Sequence, residues 1–313
     1  FWADGSQAPA KAAIVDNQVM IRLPGRMPTE LRYAWRNNPS TGLLCNENGT
    51  MVSPLRVILN TLSRDKQRKG VIVMISTQHS LFAECGYSQL EIDARVAQVW
   101  HEIFEGPNKF YWETENGLGY VMDTGNNDVR TEGMSYAMML AVQYGRQDVF
   151  DRLWGWVMKH MYMMDGHHAH YFSWSVSPDG SDRADGPAPD GEEYFAMDLF
   201  LADRRWGSSG IHDYAAQARE LLHYCVHKGR DEDGEPMRNA DNKLIKFIPE
   251  TEWSDPSYHL PHFYEVFAEC ADGQDRAFWS EAASASRAYL KTACNAYTGM
   301  NGEYALYDGT PYT

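Results

Sequence analysis

The most constraining feature of this chain is the stretch Asp128-Val129-Arg130-Thr131-Glu132-Gly133-Met134-Ser135-Tyr136-Ala137-Met138-Met139-Leu140, charged in its first half and apolar nearly all the way round in its second. A helix without a polar face must be buried. The charged residues therefore sit at the N-terminal mouth of something enclosed, with Glu132 one turn inside. At helical spacing Ser135, Tyr136 and Met139 share its face. A carboxylate held against Tyr and Met is expected to have a raised pKa, as a proton donor working near neutral pH requires. The plainer reading is a first-turn acid that complements the helix dipole.

The design recurs. Apolar, aromatic-rich helices are predicted at 192–201 and 256–270, opening on Asp190 and Asp255 as the first opens on Glu132, about every sixty residues. Helices at 149–163, 213–226 and 276–293 run between or after them. Alternating inner and outer helices joined by long loops describe an αα barrel, in which the inner N-termini converge on one mouth. Ahead of the repeat, Ser88-Gln89-Leu90-Glu91 is a capping-box start to a helix with the stripe Ile92, Val96, Val99 and Ile103. Extended segments are expected around 110–112, 119–123 and 171–175.

Residues 1–60 read differently. Val19 to Leu23 and Leu31 to Trp35 alternate like half-buried strands between Pro- and Gly-bearing turns. A charged, Gly-terminated linker follows at 63–70, then a β-branched run at 71–75 that could pair or simply pack. A net charge of −15 argues against nucleic acid or an anionic membrane as partner. No apolar run reaches membrane-spanning length. Five scattered cysteines show no paired spacing, which favours a reducing compartment. The chain opens at Phe1, so it reads as a piece of something longer from which a signal peptide could have been removed. Asn48-Gly49-Thr50 is a glycosylation sequon, uninformative without a compartment.

Each acid also has a structural reading. Asp190-Gly191-Glu192-Glu193 looks like an Asp N-cap with Glu at N3, and Asp255-Pro256 like an Asp cap with Pro at N1. His167-His168-Ala169-His170 has the residue type of a metal site, but no HExxH spacing or clustered Cys accompanies it, so no metal is expected. Trp174 and Trp253, beside loops, either stack on sugar rings or seal the rim. An aromatic content of 13% suits either use.

Asp123-Thr124-Gly125-Asn126 with 128–136, Gly186-Pro187-Ala188-Pro189-Asp190-Gly191-Glu192-Glu193-Tyr194-Phe195, Asp241-Asn242-Lys243-Leu244-Ile245-Lys246-Phe247-Ile248-Pro249-Glu250 and Asp255-Pro256-Ser257-Tyr258-His259-Leu260-Pro261 together resemble glycoside hydrolase family 8. The branch they resemble is that of reducing-end xylose-releasing exo-oligoxylanases and related xylanases, over about 81–311. The resemblance implies an all-α (α/α)6 barrel and inverting hydrolysis of β-1,4 linkages in xylo-oligosaccharides or xylan, without cofactor. Carried over by position, Glu132 matches the general acid, Asp190 the acid that binds the sugar near the scissile bond, and Tyr258 the tyrosine that helps hold the attacking water. Arg130, Trp174 and Asp255 are the candidate substrate-binding residues.

In the same way, Leu31-Arg32-Tyr33-Ala34-Trp35-Arg36-Asn37-Asn38-Pro39, with Gly49 and Ser53-Pro54-Leu55-Arg56, resembles the C-terminal β tail of sialate O-acetylesterase-type carbohydrate esterases. The expected organisation is an esterase-like tail over 1–62, a linker over 63–80 and a glycosidase domain over 81–313. The resemblance puts the catalytic base on an Asp beyond Tyr307-Asp308-Gly309-Thr310-Pro311. With Thr313 as the last residue, the barrel is expected to be C-terminally incomplete, and these residues alone are expected to be inactive and to associate with a missing C-terminal portion or an upstream esterase domain. Other family 8 specificities (β-glucanase, chitosanase) and a carbohydrate-binding role without turnover stand as alternatives. The exo-oligoxylanase reading favours a cytoplasmic location, and a removed signal peptide would imply a secreted or periplasmic one.

Overall fold

The computed structural model describes residues 81–312 in full and, before them, the backbone of five strands. These are β1 (Lys11–Val15), β2 (Gln18–Leu23), β3 (Glu30–Tyr33), β4 (Leu55–Ile58) and β5 (Val71–Ser76). They form an antiparallel three-stranded sheet in the order β1-β2-β5, and an antiparallel β3-β4 pair. The expected strands near 19–23 and 31–35 correspond to β2 and β3, and the run at 71–75 pairs with β2 in the register Val19 to Ile75. The linker at 63–70, the sequon and most of the esterase-like tail motif lie outside the described residues.

The chain divides into two compact units, Phe1–Gln98 and Val99–Thr313. The first includes α1 (Leu81–Glu84) and most of α2 (Gln89–Trp100). The capping box at Ser88 forms: its backbone N–H donates to Glu91 Oε2 at 2.8 Å, and the Glu91 N–H donates back to Ser88 Oγ at 3.3 Å. The stripe is less buried than its spacing predicts, since Ile92 and Val99 are half-buried and Val96 is exposed.

In the second unit, the backbone widens after Trp100 into a π-helical turn, His101–Glu105, which stacks buried Phe104 on Trp100 at 4.0 Å. A hairpin follows, β6 (Tyr111–Glu113) with β7 (Gly119–Val121). Next come β8 (Val129–Arg130), α3 (Thr131–Tyr144), α4 (Gln147–His160), β9 (Ser175–Val176, paired with β8), α5 (Pro189–Trp206), α6 (Tyr214–His227), α7 (Pro261–Cys270) and α8 (Arg276–Ala293). The αα-barrel pattern is present: α3 packs on α5 and α5 on α7, while α4, α6 and α8 each pack on the inner helix preceding them. The core between them holds Met134, Met138, Phe150, Trp154, Trp156, Phe195, Phe267 and Trp279, all fully buried. Each such side chain contributes about 1.5–3 kcal/mol relative to exposure.

Three local expectations are corrected. Residues 256–270 are not one helix. Pro261 has no N–H and disfavours helical backbone at Leu260, which sits at φ −115°, ψ 63°. The segment therefore splits into a 3-10 turn, Pro256–Tyr258, and α7. The inner helix at 192–201 runs further in both directions as α5, because Pro189 occupies its first turn and Gly207 ends it. The extended segment at 171–175 reduces to a bridge between Phe172 and Tyr162 and to the short β9.

Candidate active site

Glu132 and Asp190 meet because α3 and α5 cross at their first turns with almost no separation. A Cβ placed on Gly191 would lie 2.5 Å from Thr131 Cβ, so only glycine permits the crossing. Each of these two contact residues is followed or preceded by an acid, and the crossing brings the acids together. Asp190 is not the cap of α5: Ala188 takes that position, without a side-chain cap bond, and Asp190 lies inside the first turn. Its Oδ1 is buried and has no hydrogen-bond partner among the described residues. Burial first, then the nearby charges of Glu132 and Glu193, push the Asp190 carboxyl up to about 8. The group that burial and like charge drive to hold a proton at neutral pH is thus Asp190. The Glu132 mouth is more open than expected, with Tyr136 47% exposed and Met139 half-buried.

Tyr258 faces the same acids. Burial raises its phenol well above the usual range, and the charges of Asp190, Asp255 and Glu132 add to the effect. Tyr136 joins them, pushed up to about 12 by burial and then by Asp190, Tyr194 and Glu132. The structure therefore assembles Glu132, Asp190, Tyr258 and Tyr136 at one mouth. Asp255 stays near Tyr258, but its Oδ1 accepts the Ser257 N–H at 2.7 Å, so it acts as the cap of the 3-10 turn. Burial raises its carboxyl despite that bond.

Arg130 and Trp174 meet through the β8–β9 ladder. The Thr131 N–H donates to the Trp174 carbonyl at 3.0 Å, and the Arg130 guanidinium lies 5.1 Å from the Trp174 ring centre. Arg130 Nε also contacts Asp128 Oδ1 at 3.1 Å and Asp123 Oδ2 at 3.2 Å, and Ser175 Oγ donates to Asp128 Oδ2 at 2.6 Å. Trp253 is stacked on Phe247 at 4.6 Å and on Tyr312 at 4.7 Å, and Phe247 in turn on Tyr258 at 5.9 Å. It is part of a packed column at the rim.

Two neighbours of Asp190 carry more than the sequence indicated. Glu192, read there as part of a cap, is fully buried; its Oε1 accepts the Phe172 N–H at 2.9 Å, and burial holds its carboxyl well above the usual range. Glu193 pairs with the buried Arg238 and accepts from Tyr264 Oη at 3.0 Å. Burial outweighs both partners and brings its carboxyl to about 7. The signal was the run Asp190-Gly191-Glu192-Glu193 itself, three acids at the head of a helix whose next residues are apolar. Arg238 gave none, because it lies 45 residues from its partner. Two groups of metal-ligand type converge among the described residues, His167-His168-Glu250 and His223-His227-Asp275.

The family model for glycosyl hydrolases family 8 matches residues 74–313. A reducing end xylose-releasing exo-oligoxylanase of Bifidobacterium adolescentis is 75% identical over 234 residues, covering 74% of this chain and 62% of that protein. The protein of the same description from Halalkalibacterium halodurans is 60% identical over 236 residues, covering 74% of this chain and 61% of that protein. A crystal structure of a reducing-end-xylose releasing exo-oligoxylanase superposes with a TM-score of 0.72 at 60% identity, covering 74% of this chain and 63% of that one. The chain thus spans about three fifths of the length of the relatives it matches, and the fold they share over that span is the one described above.

Proposed function

Because the chain belongs to glycosyl hydrolases family 8, we propose that the protein is an inverting glycoside hydrolase that cleaves β-1,4-xylosidic bonds in xylo-oligosaccharides and releases xylose from the reducing end. The observation that carries this reading is the meeting of Glu132, Asp190 and Tyr258 at one helix-lined mouth. Glu132 donates the proton to the leaving oxygen. Asp190 binds the sugar ring beside the scissile bond, and Tyr258 holds the attacking water. Inversion requires the acid and the base to stand roughly 6.5–9.5 Å apart, leaving room for that water. The resemblance draws the base from beyond Tyr307–Pro311. Asp308 is exposed and bound to the Thr310 N–H at 2.8 Å, a turn-forming role. Arg130, Trp174 and Asp255 line the approach for the sugar. The same reading takes residues 1–62 as an acetylesterase-like tail, a pairing that fits xylan because xylan carries acetyl groups.

The test is sugar release by the full-length protein from xylohexaose, β-glucan and chitosan in parallel. Xylose from xylohexaose with nothing from the other two is the expected result. Release from glucan or chitosan instead would reassign the specificity, and binding of xylohexaose without release would make the protein a carbohydrate binder.

A further inference from the structure

We propose that His167, His168 and Glu250 form a binding site for a divalent transition-metal ion of the zinc type, which ties the 166–170 loop to the segment leading to Tyr258. His168 Nε2 lies 2.8 Å from Glu250 Oε1, and His167 Nε2 lies 3.4 Å from the same oxygen. Ligands about 2 Å from a tetrahedral ion stand about 3.3 Å apart, and the two distances to Glu250 lie on either side of that spacing. Two imidazoles and a carboxylate also make a donor set that suits zinc and leaves a fourth position open.

The second, independent observation lies on the far side of each ring. His167 Nδ1 is 3.3 Å from Asp233 Oδ1, and His168 Nδ1 is 3.5 Å from Asp185 Oδ1. A carboxylate behind a metal-binding histidine fixes the Nδ1–H tautomer and turns the Nε2 lone pair toward the ion. Without an ion, His168 Nε2 and Glu250 Oε1 share a hydrogen bond at 2.8 Å, and a bound cation would take the place of its proton.

The backbone prepares the site. Gly186, at φ +109°, lets its loop lie against the His168 ring, and a Cβ there would come within 3.2 Å of it. Gly234, at φ +112°, lets a second loop approach the His167 carbonyl, where a Cβ would lie 2.4 Å away. The buried Lys246 donates to the Pro249 carbonyl at 2.7 Å and so fixes the residue before Glu250. The sequence could not show this, because Glu250 is 82 residues from His168. The ion would join the 166–170 loop to the segment before Trp253 and Tyr258, while His168 also abuts the segment that runs into Pro189 and Asp190. Any consequence for turnover rests on the function proposed above; the binding does not.

Isothermal titration of the chelator-stripped full chain with zinc chloride at pH 7.5 tests the site. One equivalent should bind with a Kd of about a micromolar or tighter. His168→Ala should weaken binding at least about 100-fold, and the near-isosteric Glu250→Gln at least about tenfold, while Asp185→Asn should have a smaller effect. His227→Ala should leave the Kd unchanged. Circular dichroism of the zinc-free variants checks folding, and if His168→Ala does not fold, Glu250→Gln decides. A Kd weaker than about a millimolar, an unchanged Kd in Glu250→Gln, or binding that is lost in His227→Ala would each overturn the assignment.

Discussion

At the residue scale the two carboxyls at the crossing have separate roles, and separate measurements distinguish them. Removing a positioned general acid typically lowers turnover about 10²–10⁴-fold. Glu132→Ala should do so with an unchanged circular dichroism spectrum, and a variant keeping a tenth of the wild-type rate would take Glu132 out of that role. Asp190→Ala should raise KM as well as lowering kcat, since Asp190 is assigned to hold the sugar. Asp190 also makes a prediction about stability. Its folded pKa of about 8 stands above the ordinary 3.8. Between those values the native state keeps the proton that the unfolded chain has lost, so this group's contribution to stability falls as pH rises from about 4 to about 8 and is level outside that window. The slope is at most about 1.4 kcal/mol per pH unit. Asp190→Asn, always neutral, should therefore gain on the wild type in Tm as pH rises from 5 to 8. A Tm difference that does not change with pH would show that Asp190 is ionised in the folded protein. The sequence identified both acids but not the burial of Asp190, because helical spacing shows which side chains share a face and not how the fold encloses them.

At the element scale, what makes the site is a close approach that a sequence pattern does not display. The apolar helices were legible as α3, α5 and, in its second part, α7, and their partners as α4, α6 and α8, since amphipathic periodicity follows burial. The crossing at Gly191 was not, because a glycine in a first helical turn reads only as a weak helix former. Pro261 was present in the sequence, but the apolar run across it masked the break. Gly191→Ala should test the crossing. Its methyl would meet Thr131 backbone-proximal atoms that cannot swing away, and overpacking of this kind costs about 1–3 kcal/mol. The urea midpoint should fall accordingly, and kcat should fall along with it as Glu132 and Asp190 move apart. A variant with wild-type midpoint and turnover would mean that the crossing has slack.

At the scale of the molecule, an acid from α3, an acid from α5 and a tyrosine from the turn before α7 reach one mouth only because every inner helix points the same way. That convergence was readable from the repeat of acid-headed helices, whereas the long-range partners that brace it were not. Arg238 with Glu193, and His168 with Glu250, are joined only by the fold. The same geometry sets the stereochemistry of the product. With Glu132 protonating the leaving oxygen from one side and Tyr258 holding water on the other, the water attacks the anomeric carbon directly and no glycosyl-enzyme forms. A retaining mechanism would instead need a second carboxylate roughly 5–5.5 Å from the acid, poised to attack the sugar itself. Asp190 is the acid beside Glu132, and holding a proton up to about pH 8 makes it a poor nucleophile at neutral pH. Proton NMR of xylotriose cleavage by the full-length protein, recorded before mutarotation, should therefore show the α-anomer first. If the β-anomer appears first, Asp190 attacks the sugar, and the roles assigned to it and to Tyr258 are wrong.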